Sequence, residues 1–155
     1  MGADHLVIDL EKICFSYPDG RNVLTELSFA LEKGARAGII GPNGSGKTTL
    51  LHMILGLIPP TDGIIRLFCR KMQSEADFQE SRKKIGLVFQ NADDQLFSPT
   101  VLEDVAFGPL NLGAGPAEAK AIAIKTLKDL NLTGFENRIS YRLSGGEKKL
   151  VALAT

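Results

Sequence analysis

Eight residues in the first third of the chain combine glycine, lysine and threonine at a spacing that suits phosphate binding. The segment Gly41-Pro42-Asn43-Gly44-Ser45-Gly46-Lys47-Thr48 fits the pattern G-x-x-x-x-G-K-[ST] at every position. A triphosphate needs several backbone N–H donors that converge on one point, and glycine lets the main chain curl that tightly. Lys47 then places a cation between the outer phosphates, and the Thr48 hydroxyl is positioned to ligate Mg²⁺. The segment therefore predicts a phosphate-binding loop.

The segments on either side of this loop have the character that it requires. The apolar run 37–40 before the loop predicts a buried strand, and residues 49–55 after it predict a helix. The N-terminus of that helix would aim its dipole at the phosphates. A glycine-rich turn that matches the pattern by accident is the alternative, and the strand–loop–helix context argues against it.

The acidic residues do not complete a hydrolytic site of this kind. Phosphate-loop ATPases hold Mg²⁺ and orient the attacking water with carboxylates, which we expect at the end of a later apolar strand. Asp93-Asp94 lies in a turn-like segment and Glu103-Asp104 in a helical stretch, so neither pair fits. We therefore expect the chain, which ends at Thr155, to carry half of a catalytic site, with the C-terminal part of the core missing.

Composition is that of an ordinary globular domain. The 155 residues suffice for one domain with a core, and 44% of them are hydrophobic and 23% charged. The 18 basic and 18 acidic side chains cancel, so no global field would draw in nucleic acid, and none is expected as a partner. Cys14 and Cys69 lack CxxC spacing and predict neither a metal site nor a disulfide. The longest apolar segment, around 50–58, is too short to cross a bilayer.

Hydrophobic patterning predicts a sheet-containing core followed by helices. Alternation and turn residues predict strands over four segments, namely 6–15, 23–31, 63–68 and 85–89. Helices are predicted over 75–84, over 101–107 and from Pro116, the last with Ile122, Ala123, Leu127 and Leu130 on one face.

We divide the chain into three parts on this basis. Residues 1–90 form an N-terminal β subdomain with the phosphate-loop core, and residues 91–142 form a helical subdomain. Residues 143–155 carry a further motif and the start of the helix that follows it.

That further motif is Leu143-Ser144-Gly145-Gly146-Glu147. Taken alone it predicts a capping box, in which Ser144 caps a helix and Glu147 reaches back to it. A capping box does not explain two glycines in the first turn, where each costs about 1 kcal/mol relative to alanine. Glycine is favoured there if a large group must approach the exposed N–H groups closely. A phosphate at the helix N-terminus is such a group.

Together these motifs resemble the ATP-binding cassette (ABC) family. The 41–48 loop resembles its Walker A motif, and 143–147 resembles its LSGGQ signature with Glu in place of Gln. Gln90 is similar to the Q-loop glutamine, a Mg²⁺ and water contact, whereas an ordinary strand-end polar residue is the alternative. Tyr17 is similar to the A-loop aromatic that stacks on adenine, whereas a turn tyrosine packed on the sheet is the alternative.

The resemblance implies an α/β fold, the P-loop NTPase cassette of ABC type, with a mixed-sheet core and a helical subdomain. It implies ATP and Mg²⁺ as ligands. Lys47 and Gln90 would be catalytic, and Thr48 and Gln90 would hold the metal. The residues that bind nucleotide would be Tyr17, Gly41, Pro42, Asn43, Gly44, Ser45, Gly46, Lys47, Thr48, Thr49, Ser144, Gly145 and Gly146.

A narrower similarity lies in residues 91–101 and 104–111. They are very similar to the ATPase subunits of energy-coupling-factor importers, especially the cobalt and nickel type. Two departures are Ala92, where that group usually has proline, and Leu150, where it usually has a basic residue. The similarity implies that ATP binding and hydrolysis are coupled to uptake of cobalt, nickel or a vitamin.

The same similarity implies two protein partners at the cytoplasmic face of the cell membrane. One is a second ATPase subunit that pairs head to tail with the first, and the other is a transmembrane coupling subunit. Ser144, Gly145 and Gly146 would then contact the ATP that is bound to the partner ATPase.

Other functions remain as alternatives. The first is a non-hydrolytic nucleotide-binding remnant of such a subunit, because the acidic strand is missing. A soluble ABC protein that acts on ribosomes or in DNA repair would not be expected to carry the 91–111 similarity. A small-molecule P-loop kinase would not be expected to carry the 143–147 motif.

Overall fold

The computed structural model describes residues 5–155 and divides the chain into two compact units. The first unit ends at Gly86, and the second runs from Leu87 to Thr155. Residues 5–86 of the first unit contain four strands and two α-helices, namely β1 (Leu6–Ser16), β2 (Asn22–Glu32), α1 (Lys47–Ile54), β3 (Asp62–Leu67), β4 (Arg70–Lys71) and α2 (Glu75–Arg82).

The sheet of the first unit is antiparallel in every pairing, with the strand order β2-β1-β3-β4. The strands predicted over 6–15, 23–31 and 63–68 are therefore confirmed. Leu10 and Ile13 of β1 are both buried although they lie three residues apart, because an irregularity in the strand between them shifts the alternation of side chains. The buried side of α1 contributes Leu50 and Met53 to the same hydrophobic cluster.

The two strands predicted over 37–40 and 85–89 are wrong. Neither segment has regular structure, and neither pairs with another strand in the described part of the chain. Ile40 is 98% exposed and Phe89 is 44% exposed, where burial was predicted. A strand needs a neighbour to satisfy its backbone N–H and C=O groups, so an apolar run without such a neighbour does not form one.

The second unit is helical. Its helices are α3 (Val101–Asn111), α4 (Pro116–Asp129) and α5 (Gly145–Ala154), and two short 3₁₀ turns span Ala92–Asp94 and Ser140–Arg142. The helix predicted over 101–107 is confirmed and continues to Asn111. Pro116 opens α4 in the first-turn position where proline is best tolerated.

The core of the second unit is formed where the three helices meet. Val101, Ala123, Leu127 and Val151 are each 0% exposed within it. The prediction for α4 is confirmed for Ala123 and Leu127 but is wrong for Ile122, which is 41% exposed. Adjacent residues point about 100° apart around a helix, so Ile122 falls at the edge of the buried stripe.

Candidate nucleotide-binding site

The phosphate-binding loop of the first unit leads directly into α1. Lys47, the first residue of the helix, folds its side chain back onto the loop. Its Nζ atom donates hydrogen bonds to the carbonyl oxygens of Gly41 and Pro42, each at 2.8 Å. The loop residues 41–45 are exposed. The ammonium group therefore lies against an accessible backbone, where the oxygens of an anion could replace the two carbonyls.

The N-terminus of α1 lacks the side-chain cap that most other helices of the chain have. Capping boxes lie at the N-termini of α2, α3 and α5. In α1 the residue before the helix is Gly46, which has no side chain that could cap the helix. The first turn of α1 contains no acidic residue. The first N–H groups of a helix have no partner within it and carry a partial positive charge. This end of α1 therefore suits a bound anion.

Gly46 is required by packing as well as by the curl of the loop. Its φ is +89°, in the left-handed region that favours glycine. A Cβ atom at this position would lie 2.6 Å from Cγ1 of Val23 and 3.2 Å from Cδ2 of Leu24. Gly44 also has a positive φ of +82°, but a Cβ atom there would meet nothing within 4 Å. The loop thus rests on β2 through Gly46, a contact that sequence reasoning missed.

Tyr17 directly follows β1 and contacts the helix that follows the loop. Its hydroxyl group and that of Thr49 are 3.1 Å apart and share a hydrogen bond. Its ring meets Phe15 edge-on at 4.9 Å, and the Arg21 guanidinium lies 4.9 Å from the ring centroid. Thr49, which the sequence assigned to nucleotide binding, is 7% exposed. The structure thus brings Tyr17 to the helix that carries Lys47 and Thr48.

The 143–147 motif forms the start of α5 in the second unit. The hydroxyl of Ser144 accepts the N–H of Glu147 at 3.4 Å, and the Glu147 carboxylate accepts the N–H of Ser144 at 2.8 Å. The predicted capping box is therefore confirmed. Gly145 and Gly146 are exposed, and a Cβ atom on either would meet nothing within 4 Å. Packing inside the chain does not require these glycines, which leaves room for an outside group.

Glu147 stands where the resembled signature has glutamine, and its charge is partly balanced. The hydrogen bonds from the Ser144 backbone and side chain lower the pKa of the Glu147 carboxyl group, and the Arg138 guanidinium adds to the effect. Arg138 donates to Glu147 at 3.0 Å and stacks over the Phe135 ring at 3.7 Å. Sequence reasoning missed Arg138, because nothing in the spacing of the motif points to it.

Gln90 is exposed in an irregular part of the second unit, and its side chain makes no hydrogen bond to another described residue. Thr48, the other expected metal ligand, is in the first unit and is also exposed. Within residues 5–155, no group of three His, Cys, Asp or Glu side chains is placed to hold a metal ion. Thr48 and Gln90 each offer an oxygen atom, the kind of ligand that Mg²⁺ takes.

A membrane-spanning segment is likewise not found among residues 5–155: none of their helices is both long and apolar enough. The described helices are amphipathic elements of the two units.

Comparison with known proteins identifies the class to which this fold and these motifs belong. The sequence model of the ABC transporter family matches residues 24–155, so the chain is a member of that family. It is 51% identical over 150 residues to an ABC transporter ATP-binding protein of Nitratidesulfovibrio vulgaris, covering 96% of this chain and 55% of the relative. It is 44% identical over 149 residues to the energy-coupling factor transporter ATP-binding protein EcfA of Methanothermobacter thermautotrophicus, covering 96% of this chain and 48% of the relative.

Solved structures agree with this membership and confirm the predicted P-loop cassette fold. The structure of cbiO1 from Clostridium perfringens, described as part of the ABC transporter complex cbiONQ, superimposes with a TM-score of 0.86 at 31% identity. The match covers 97% of this chain and 60% of that one. The ATP-binding cassette MJ0796, a dimer bound to ADP and phosphate, gives a TM-score of 0.82 at 29% identity over 95% of this chain and 67% of that one. The chain spans about half the length of the two curated relatives.

Proposed function

We propose that the chain is the ATP-binding part of an energy-coupling-factor type ABC importer subunit, which couples ATP binding and hydrolysis to the uptake of cobalt, nickel or a vitamin. The observation that carries the proposal is the uncapped, acid-free start of α1, with the Lys47 ammonium folded against the exposed loop. The branch within the family is supported by the EcfA relative and by the cbiO1 structure.

The residues assigned to the nucleotide and the metal ion would have different roles in this function. The N–H groups at the start of α1 and the Lys47 ammonium would bind the outer phosphates of ATP. Thr48 and Gln90 would hold Mg²⁺, and Gln90 would also contact the attacking water. The Tyr17 ring would stack on adenine, where the Arg21 side chain now lies against it. Gly41, Pro42, Asn43, Gly44, Ser45 and Gly46 would give the loop the shape that surrounds the phosphates.

The second unit would act on a nucleotide held by another subunit. Ser144, Gly145 and Gly146 would contact ATP on a partner ATPase in a head-to-tail dimer, because open space above both glycines admits a large group. Closure of this dimer would move a transmembrane coupling subunit at the cytoplasmic face of the membrane. The free energy of ATP binding would thereby shift a conformational equilibrium in that partner.

Titration calorimetry with ATP and Mg²⁺ tests the nucleotide site. We expect Lys47→Ala to lose most of the affinity, because the cation that faces the phosphates is gone. Lys33→Ala removes an exposed lysine of the same unit and is the matched control. Equal affinities for Lys47→Ala and the parent chain would contradict the assignment of Lys47 to the phosphates.

The importer branch needs a separate experiment. The full-length gene would be expressed together with the membrane proteins encoded beside it, in cells that lack their own cobalt and nickel uptake. Uptake of labelled cobalt or nickel, or of a vitamin, that is lost with Lys47→Ala would support the proposal. If the neighbouring genes encode no membrane subunit, the importer branch is wrong while ATP binding still stands.

A further inference from the structure

A fully buried carboxylate lies inside the second unit and is not among the residues assigned to nucleotide. Asp104, in the first turn of α3, is 2% exposed. Its Oδ1 atom accepts the backbone N–H groups of Phe97 at 3.1 Å and Ser98 at 2.8 Å. Its Oδ2 atom accepts the hydroxyl of Ser140 at 2.5 Å. A buried carboxylate is tolerated only where hydrogen bonds replace its hydration, so Asp104 specifies where these three donors lie.

The donors come from two segments that are distant in sequence. Phe97 and Ser98 belong to the loop that leads into α3, whereas Ser140 opens the turn that leads into the 143–147 motif. The carbonyl of Ser140 accepts the N–H of Leu143 at 3.3 Å, and Leu143 is buried. The position of Ser140 therefore influences the position of Leu143, the residue that precedes Ser144.

Backbone contacts reinforce this connection at the start of α3. Thr100 pairs with Ile139 in an isolated antiparallel bridge, and the N–H of Val101 donates to the carbonyl of Arg138 at 3.0 Å. Arg138 in turn donates to Glu147 of the capping box. The first turn of α3 and the segment before α5 thus form one hydrogen-bonded assembly with Asp104 at its centre.

The loop that Asp104 holds is accessible from outside the chain. Phe97 is 66% exposed and Phe107 is 45% exposed, and their rings meet edge-on at 4.9 Å. The backbone N–H of Phe97 is one of the three donors to Asp104. An outside contact that displaces Phe97 therefore acts on the same carboxylate that holds Ser140.

We propose that Asp104 is a positioning residue that ties the 97–98 loop to the turn before Ser144, so that displacement of the loop shifts the 143–146 segment. The effect of this shift on nucleotide binding rests on the proposed function, in which Ser144, Gly145 and Gly146 contact a nucleotide. The connection itself is a property of the folded chain and can be measured without nucleotide.

Amide hydrogen exchange of the full-length protein tests the connection. We expect Asp104→Ala to raise exchange by at least about tenfold at Phe97 and Ser98 and also at Leu143 and Ser144, because charged hydrogen bonds are lost at both segments. Asp104→Asn should restore protection to within about twofold, since its amide group can accept from the two N–H groups and donate to Ser140. Asp129→Ala removes an exposed carboxylate of the same unit and should change neither segment.

Ser140→Ala decides the outcome if Asp104→Ala does not fold. It removes one donor and should raise exchange at Leu143 and Ser144 while the amides of Phe97 and Ser98 stay protected. Unchanged exchange at Leu143 and Ser144 in a folded Asp104→Ala chain, or in Ser140→Ala, would overturn the proposal. Equal loss of protection in β1 and β2 would also overturn it, because the effect would then be general destabilisation. If the parent chain does not bind ATP, the nucleotide site is refuted, whereas the hydrogen-exchange result still stands.

Discussion

The contacts of Tyr17 fit both a residue that stacks on adenine and a residue that only packs on the sheet. Its ring and its hydroxyl must therefore be tested separately. Tyr17→Phe keeps the ring and loses the bond to Thr49. Tyr17→Ala loses both. A base stacked on an aromatic ring contributes about 1–3 kcal/mol, so Tyr17→Ala should weaken ATP binding roughly five- to 150-fold. We expect Tyr17→Phe to stay close to the parent chain in calorimetry, whereas equal losses in both variants would assign the effect to the hydroxyl.

Residue types at fixed spacing predicted part of the site, and contacts between distant residues account for the rest. The 41–48 loop and the 143–147 capping box follow from local rules on glycine, lysine and helix caps. The structural role of Asp104 could not be predicted from the sequence, because its partners Phe97 and Ser140 are set by tertiary packing. The assignment of Gln90 to Mg²⁺ stays a prediction.

At the scale of elements, the loop and α1 depend on how closely Gly46 approaches β2. Gly46→Ala would combine an unfavourable φ of +89° with a Cβ atom 2.6 Å from Val23. Gly44→Ala has the same kind of backbone strain without the clash, which makes it the matched control. We expect Gly44→Ala to cost about 1–3 kcal/mol of unfolding free energy and Gly46→Ala about 1–3 kcal/mol more. Urea unfolding in the cold measures both, and equal costs would contradict the packing role.

The strand predictions show that apolar patterning indicates where a strand can form, whereas the presence of a pairing partner decides whether it does form. Residues 6–15 and 23–31 were predicted correctly because alternation and a tight turn between them are local signals, and each strand is the other's partner. Residues 37–40 and 85–89 are apolar enough for strands, yet no described strand lies beside either of them. The partner of a strand is another segment of the chain, so the apolar pattern of 37–40 or 85–89 alone does not show whether a partner is present.

For the whole molecule, these two unpaired segments predict poor stability. Ile40 is 98% exposed, and Val88 and Phe89 are 48% and 44% exposed. Exposed apolar side chains beside unpaired backbone groups favour association between chains. We expect the 155-residue chain to aggregate and to lack a reversible melt above about 45 °C, the lower end for mesophile domains. A monomer with a cooperative, reversible transition above that temperature would contradict this.

The same chain is expected to hydrolyse ATP negligibly by itself. No acidic pair stands at the end of a strand within the described residues, and loss of catalytic carboxylates typically costs several powers of ten in rate. Phosphate release measured with excess ATP should therefore not exceed that of Lys47→Ala, which controls for contaminating enzymes. A rate typical of intact ATPases that disappears with Lys47→Ala would show that the described residues suffice for catalysis.

The division of the chain at Gly86 has a genetic consequence. The phosphate-binding loop lies on one side of this division and Ser144 on the other, in separate contiguous stretches of the gene. In the proposed dimer, a subunit with a defective loop still offers an intact signature, and a subunit with a defective signature still offers an intact loop. If both subunits of that dimer come from this gene, two recessive alleles, one from each stretch, should complement each other when expressed together, with one composite site of two restored. Two alleles from the same stretch should not.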